Sequence, residues 1–259
     1  MNNVFDSVRQ NELAEKFHAL HHRDEMLVLP NAWDSVSAKI FEEAGFQAIA
    51  TTSSGISWSC GYKDGEHIPP DLMIEVINRI AHSVEVPVTA DIEAGYYGDD
   101  IDKFSEFIND VIEAGAVGIN LEDDDSKTRR LVDIDLQIKK LKSVKEISKQ
   151  KGVNLFLNAR TDAIELADGD LKTKIQVCIE RAKAFEEAGA DGIFIPFIKE
   201  IETVAELKSA IKLPLNILIN DLLDIVELRK LKVNRVSVGG KPMLASLNIL
   251  RVIAKELKN

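Results

Sequence analysis

Cysteine is scarce in this chain: Cys60 and Cys178 are the two among 259 residues. Two thiols so far apart build neither a disulfide framework nor a closed zinc site, so a reducing cytoplasm is the expected compartment. Long apolar runs are lacking as well. Nothing approaches the roughly 18 consecutive apolar residues of a membrane span. The stretch from Met1 to Leu20 is broken by Asp6, Arg9, Glu12, Glu15 and Lys16, which is not the pattern of a signal peptide. Basic charge is in deficit, with 32 Lys+Arg against 43 Asp+Glu and a formal net charge of -11. Nucleic acid and anionic membranes are held through Lys and Arg, so both are poor partners.

What is present is an ordinary globular composition, 45% hydrophobic and 29% charged, organised around an internal repeat. Residues 42–50 read EEAGFQAIA, 112–120 read IEAGAVGIN and 186–194 read EEAGADGIF. Each passes from a helix end through a Gly suited to a left-handed C-cap (Gly45, Gly115, Gly189) into a short apolar run suited to a buried strand. The copies lie roughly two βα units apart. Short apolar runs predict eight strands, over 26–29, 48–51, 88–91, 118–121, 155–158, 192–195, 215–219 and 235–238. Periodicity near 3.6 predicts helices over 35–44, 71–83, 101–114, 136–150, 173–188, 203–210, 225–231 and 244–257, and an extra one over 4–19. Eight β-then-α units predict an α/β fold, a closed (β/α)8 TIM-type barrel with an extra N-terminal helix, as one domain over 1–259. The rival is an open doubly wound sheet. It would carry a Gly-rich phosphate turn after the first strand, where this chain has Pro30-Asn31-Ala32-Trp33-Asp34.

Catalytic residues of such a barrel come from the C-terminal strand ends and the loops after them. Asp91 and Glu93 alternate at the third strand end, so their carboxylates project to one side, and Glu122 ends the neighbouring strand. Three carboxylates converging on one mouth repel unless a cation joins them, and oxygen-only ligands suit Mg2+ or Mn2+. The competing reading makes Asp91 or Glu93 a helix cap and the acidic run 122–125 a solvated loop. Arg160, one strand further and two residues after Asn158, either forks onto a substrate carboxylate or pairs with Glu122 or Asp162. Thr51-Thr52-Ser53-Ser54-Gly55 reads as a turn, either an anion nest of backbone N–H groups or a plain hydrogen-bonded loop. The long connection onward to Gly65 reads as a substrate cover. Trp33 and Trp58 are expected to wall the pocket and Cys178 to be core, while Cys60 has no His/Asp relay beside it. His18, His21 and His22 read as a solvated cluster, His67 as a loop hydrogen-bonder, and Gly239-Gly240 as a tight turn.

Together these residues resemble the isocitrate lyase/phosphoenolpyruvate mutase superfamily, in particular its short phosphonomutase-like bacterial members. The likeness runs from Leu27 to Leu250 through PNAWDSVSAKIFEEAGF (30–46), TTSSGISWSCGYKDGE (51–66), VPVTADIEAGYYGD (86–99), GAVGINLED (115–123), NARTD (158–162) and GADGIFIP (189–196). It implies a barrel whose last helix is swapped between subunits, a homotetramer built as a dimer of dimers, and Mg2+-dependent chemistry on small 2-oxo acids or dicarboxylates. By position it implies Asp91 as the direct metal anchor, with Glu93 and Glu122 holding metal-bound waters. Arg160 would bind the substrate carboxylate or oxyanion, Thr52, Ser53 and Gly55 would cradle it, and Asp64 would lie at the reacting end. Trp33 and Asn158 complete the expected substrate site.

Two departures narrow that implication. The lyases' catalytic Cys loop is replaced by residues 123–130, DDDSKTRR, and the mutases' His after strand six by Pro196-Phe197. What survives is the metal and enolate half of the chemistry, suited to C–C cleavage or decarboxylation of a 2-oxo acid. Phosphonopyruvate mutase or hydrolase chemistry is the alternative enzyme reading, and a non-catalytic 2-oxo acid binder the alternative outside enzymes.

Overall fold

The computed structural model describes residues 6–258. The eight expected strands form as β1 (Leu27–Leu29), β3 (Ile49–Thr51), β4 (Val88–Asp91), β5 (Gly118–Glu122), β8 (Phe156–Arg160), β9 (Gly192–Ile195), β10 (Leu215–Leu218) and β11 (Arg235–Ser237), all parallel to their neighbours. A ninth segment, β2 (Asn31–Ala32), pairs with β3, and β1 pairs with β11. Since β1 and β2 are consecutive and divided by Pro30, which donates no ladder hydrogen bond, they act as one interrupted strand that closes the ring. Asn31 fastens this seam: its Nδ2 donates to the Thr51 carbonyl, and its Oδ1 accepts from the Val238 and Gly239 N–H groups. The expected Gly239-Gly240 turn lies here. The fold is therefore the TIM-type barrel that the alternation predicts.

Helices occupy the expected intervals: α1 (Ser7–His21), α2 (Ser35–Glu43), α4 (Pro70–Ala81), α5 (Ile101–Glu113), α6 (Ile134–Lys151), α8 (Leu171–Glu187), α9 (Ile201–Ala210), α10 (Ile225–Lys230) and α11 (Lys241–Lys258). Val4 and Phe5, which the first helix was expected to include, lie outside the described residues. Part of the acidic excess has a local cause. Asp6, Asp34, Asp100, Asp133, Asp170 and Asp224 each cap a helix N-terminus by accepting backbone N–H bonds that no intrahelical carbonyl reaches.

Four pieces are absent from the sequence reading: β2, helix α3 (Ser53–Ser59), the short helix α7 (Ala163–Leu166), and an antiparallel hairpin of β6 (Asp124–Asp125) with β7 (Arg130–Leu131). The expected Thr51–Gly55 turn is corrected by α3. Thr52 is its N-cap, accepting the Gly55 N–H through Oγ1 at 3.4 Å. Gly55 sits inside the helix, where a Cβ would stand 2.6 Å from Thr52 Cγ2 and 3.0 Å from Trp33 Cβ. Its role is to let α3 pack against the β1–α2 connection, and its N–H is already taken.

The apolar core lies between sheet and helices, where Ala90, Ile119, Leu157, Ile193, Ile217 and Val236 are fully buried. Alternate residues face the other way, into the barrel. They are unusually polar: Thr89, Asn120, Asn158, Asn216 and Arg235 are all 3% exposed or less. The floor is plugged by α1, whose Phe17 meets Phe156 edge-on and whose His21 stacks on Phe156 at 3.9 Å between centroids. The expected solvated histidine cluster is thus corrected, because His21 is 1% exposed and a part of the plug.

Candidate active site

The C-terminal strand ends gather a dense set of charges. At the end of β4, Asp91 Oδ2 accepts from the Ser53 N–H at 3.2 Å and the Ser53 hydroxyl at 2.8 Å, while the Asp91 N–H donates to Thr51 Oγ1. The N-terminus of α3 therefore orients this carboxylate and leaves Oδ1 buried with no protein partner. A buried carboxylate oxygen without a donor is costly. A divalent cation is a group that would satisfy it.

Glu93, two residues on, is 2% exposed and has a left-handed backbone, φ +54. Its Oε2 accepts the Glu66 N–H at 2.5 Å and its Oε1 the Tyr96 hydroxyl at 3.0 Å. Burial raises its carboxyl to about 7, and the nearby charges of Asp64 and Asp91 push the same way. Glu66 returns the contact, accepting the Tyr96 N–H at 2.6 Å and the Ser126 hydroxyl at 2.9 Å. This latch ties the connection after α3 to the β4 loop and to the β6–β7 hairpin. A cavity of 390 Å³ adjoins it, lined in part by Glu66, Tyr96, Ser126 and Lys140.

Glu122 ends β5 and Arg160 ends β8, directly opposite in register. Arg160 Nη1 donates to Glu122 at 2.6 Å, and its Nε and Nη2 fork onto Asp162 at 2.7 and 2.8 Å. The ion pairing open to Arg160 is made with both candidate carboxylates, Glu122 and Asp162. Burial opposes its charge, but Glu122 and Asp162 outweigh burial and hold the guanidinium above its ordinary range. Burial pushes the Glu122 carboxyl well up, offset only in part by Arg160. Phe194 and Phe197 present their rings to Arg160, with centroids 5.5 and 5.8 Å from Cζ. Asp162 is itself held: its N–H donates to Asp123 Oδ1, and Asp123 Oδ2 accepts from Arg181 at 2.6 Å.

The competing reading of a solvated 122–125 run is overturned by this network, since Asp123 and Asp124 are buried and Arg129 pairs with Asp124. Among the described residues no three His, Cys, Asp or Glu side chains form a group that could hold a metal. The repulsion is relieved residue by residue, by Ser53 on Asp91, by Glu66 and Tyr96 on Glu93, and by Arg160 on Glu122. This donor set fits a cation anchored on Asp91 alone, with the other two carboxylates reaching it through water.

Asp64 lies near this cluster; burial first, then Asp91, raises its carboxyl. His67 bonds the Asp64 carbonyl, as a loop histidine would. Thr52 Oγ1 lies 3.0 Å from Ser54 Oγ. Trp33 packs near Gly55, while Trp58 is 38% exposed beside Gly240. Asn158 sits one inward step below Arg160, donating to Asn120 Oδ1 at 2.8 Å, which makes it part of the floor beneath the mouth. Sequence reading missed Glu66, Tyr96, Phe194, Asn120 and Arg235. A charged residue opening an inward-facing strand pattern, Arg235-Val236-Ser237, was the available signal for the last.

Residues 17–258 match the family described as phosphoenolpyruvate phosphomutase. The chain is 37% identical over 231 residues to an uncharacterized protein of Mycobacterium tuberculosis strain H37Rv, covering 89% of this chain and 84% of that one. It is 27% identical over 213 residues to the 2-methylisocitrate lyase of Bacillus subtilis strain 168, covering 80% and 67%. The fold superposes with a TM-score of 0.89 on a crystal structure from Burkholderia cenocepacia J2315 provisionally described as a phosphonomutase, at 35% identity over 95% of this chain and 100% of that one.

Proposed function

This chain belongs to the phosphoenolpyruvate phosphomutase family, and from that premise we propose that it is a Mg2+-dependent lyase acting on a small 2-oxo acid or related dicarboxylate by C–C cleavage or decarboxylation through an enolate. The observation that carries the reading is the orphaned, buried Asp91 Oδ1 beside the Arg160–Glu122 pair. Bound there, Mg2+ or Mn2+ supplies Lewis-acid stabilisation where negative charge develops on the 2-oxo acid. The chain's own residues do the rest. Ser53 fixes the anchor carboxylate and Thr51 its backbone N–H, and Glu93 and Glu122 order water around it. Arg160, with the rings of Phe194 and Phe197 beside it, supplies positive charge at the mouth for the developing oxyanion, and Asp64 faces the reacting end. Thr52, Ser53, Gly55, Trp33 and Asn158 shape the pocket around the substrate.

Phosphonopyruvate chemistry is a second reading, favoured by the family description. Pro196-Phe197 at the end of β9, with the ring of Phe197 on Arg160, supports the C–C reading over it. The test is a turnover panel of oxaloacetate, alkylated malates and phosphonopyruvate with Mg2+. Cleavage of one of the carbon acids, abolished in Asp91→Ala, supports the proposal. Phosphorus release or migration selects the second reading, and tight oxalate binding without turnover selects a non-catalytic binder.

The same reading takes 1–259 as one domain of a cytoplasmic homotetramer with a swapped last helix. Its support is α11, which leaves Ile249, Leu250, Val252, Ile253 and Leu257 exposed. No helix among the described residues is long and apolar enough to cross a membrane.

A further inference from the structure

Beneath the mouth, Arg235 is 1% exposed and forms no salt bridge with any described residue. It begins β11, separated from β5 by the three strands β10, β9 and β8, yet its Nη2 donates to Asn120 Oδ1 on β5 at 3.1 Å, so the side chain crosses the barrel interior. Its Nε and Nη1 have no partner, and both side-chain atoms of Asn216, its neighbour in register, are likewise unpartnered. Asn120 is the register partner of Asp91 and lies two residues below Glu122 on the same strand. The guanidinium therefore ends level with Asp91 in register and about one inward step, some 7 Å along the strand, below Glu122. Arg160, the cation at the mouth, is already matched by Glu122 and Asp162. Burial lowers Arg235 to about 9, which still leaves it protonated at neutral pH, and Asp91 is the carboxylate whose charge it feels.

A buried cation without an ion-pair partner works against the fold. An apolar side chain of similar length would fill the same space without that cost. Its uncompensated field must act on the carboxylates and on whatever anion lies above them, since low-dielectric surroundings screen it little. Resting on the site reading proposed above, we infer that Arg235 is a positioning residue of that site: a fixed positive charge at the barrel floor that loosens the hold of the carboxylates on a bare divalent cation and tightens the hold of the loaded site on a dianionic ligand or an enolate.

The opposite signs provide the test. Mn2+ affinity, and oxalate affinity at saturating Mn2+, are measured by calorimetry on the full chain, with thermal unfolding alongside. In Arg235→Met, Mn2+ is expected to bind several-fold tighter and oxalate on the order of tenfold weaker, with the melting temperature unchanged or higher. Arg235→Lys is expected to restore both affinities to within about threefold. If the Met variant does not fold, Arg235→Gln against Arg235→Lys asks the same question of charge at similar size. Equal weakening of both ligands together with lost thermal stability overturns the inference in favour of a structural role, as do unchanged affinities. Wild-type protein that binds neither Mn2+ nor oxalate overturns the reading of the site and this inference with it. Wild-type protein that binds both while the variants show no opposite shift overturns this inference alone.

Discussion

The two ends of the barrel solve the same backbone problem differently. At the N-terminal end, where helices return to strands, the left-handed positions at Gly45, Gly115, Gly152 and Gly189 are all glycine, with φ from +67 to +98, and Lys232 is the exception. At the C-terminal end five non-glycine residues adopt positive φ: Glu66, Glu93, Tyr96, Arg129 and Phe197. Four of these five contact a charged side chain of the mouth, and the fifth, Glu93, is one of those charged side chains itself. The N-terminal end thus relies on the residue that makes the turn cheap, while the C-terminal end, which also has left-handed glycines at Gly61, Gly65, Gly95, Gly98, Gly169 and Gly239, adds strained side chains whose chemistry a glycine could not supply. Stability is invested at one end, and strain is stored at the other.

The largest break in that contrast comes from Arg160→Met. It leaves Glu122 and Asp162 buried and unpaired, so unfolding should become easier by about 3–5 kcal/mol, read from the urea midpoint. Turnover on whichever substrate the panel identifies should fall by at least about 100-fold. A smaller effect belongs to Glu93. Its carboxyl rises from 4.5 to about 7 on folding, so the native state binds the proton more tightly than the unfolded chain. Its contribution to stability is therefore full below pH 4.5 and lost as pH rises through 7, about 3 kcal/mol in all. Without added metal, Glu93→Gln should flatten the pH 5 to 8 stability profile by roughly that amount; an unaltered slope would show that Glu93 is not the group responsible.

The contrast between the ends also explains what was legible in the sequence. The EEAG joints at 42–45 and 186–189, and the related IEAG at 112–115, carry their own conformational signal, because glycine after a helix end followed by an apolar run has few other readings. They delivered the strand count, the helix intervals and the closed barrel. The opposite loops carry no such signal: Glu93 and Tyr96 belong to residue types that seldom adopt positive φ, so nothing in the sequence announces it. Helix α3 was hidden for a related reason, since Thr-Thr-Ser-Ser-Gly is weak in helix propensity and is held in place by the Thr52 cap and the Ser53–Asp91 contact. Asp91, Glu93, Glu122 and Arg160 were visible as strand-end charges. The partners Glu66 of Glu93 and Ser53 of Asp91 come from other loops and elements, and pairing across a barrel has no local signature.

At the N-terminal end the expected effects are smaller and should leave turnover alone. Gly115 has φ +97, and a Cβ there would stand 3.1 Å from Ala81 Cβ and 3.3 Å from a ring carbon of His82. Gly115→Ala should lower stability by about 1–2 kcal/mol through combined strain and crowding, with kcat unchanged. A fall in kcat would mean that the two ends are mechanically coupled.

Lys232 provides the mildest and cleanest test. It is exposed, follows the C-cap Leu231 of α10, and holds φ +53 where the other joints use glycine. Its N–H donates to the Arg229 carbonyl at 3.0 Å, a turn that glycine at this position can keep. Replacing it with glycine relieves the clash between Cβ and the backbone but gives the unfolded chain more freedom, so the two effects oppose each other. In an exposed left-handed cap the steric relief is the larger, and Lys232→Gly should stabilise the fold by about 0.5–1 kcal/mol at unchanged turnover. The same exchange at Glu93 or Tyr96 would relieve similar strain yet remove groups that hold the mouth together, so stability could gain only at the cost of activity. A loss of stability in Lys232→Gly would mean that this side chain is held for a contact of its own, and the division of labour between the two ends would not extend to α10.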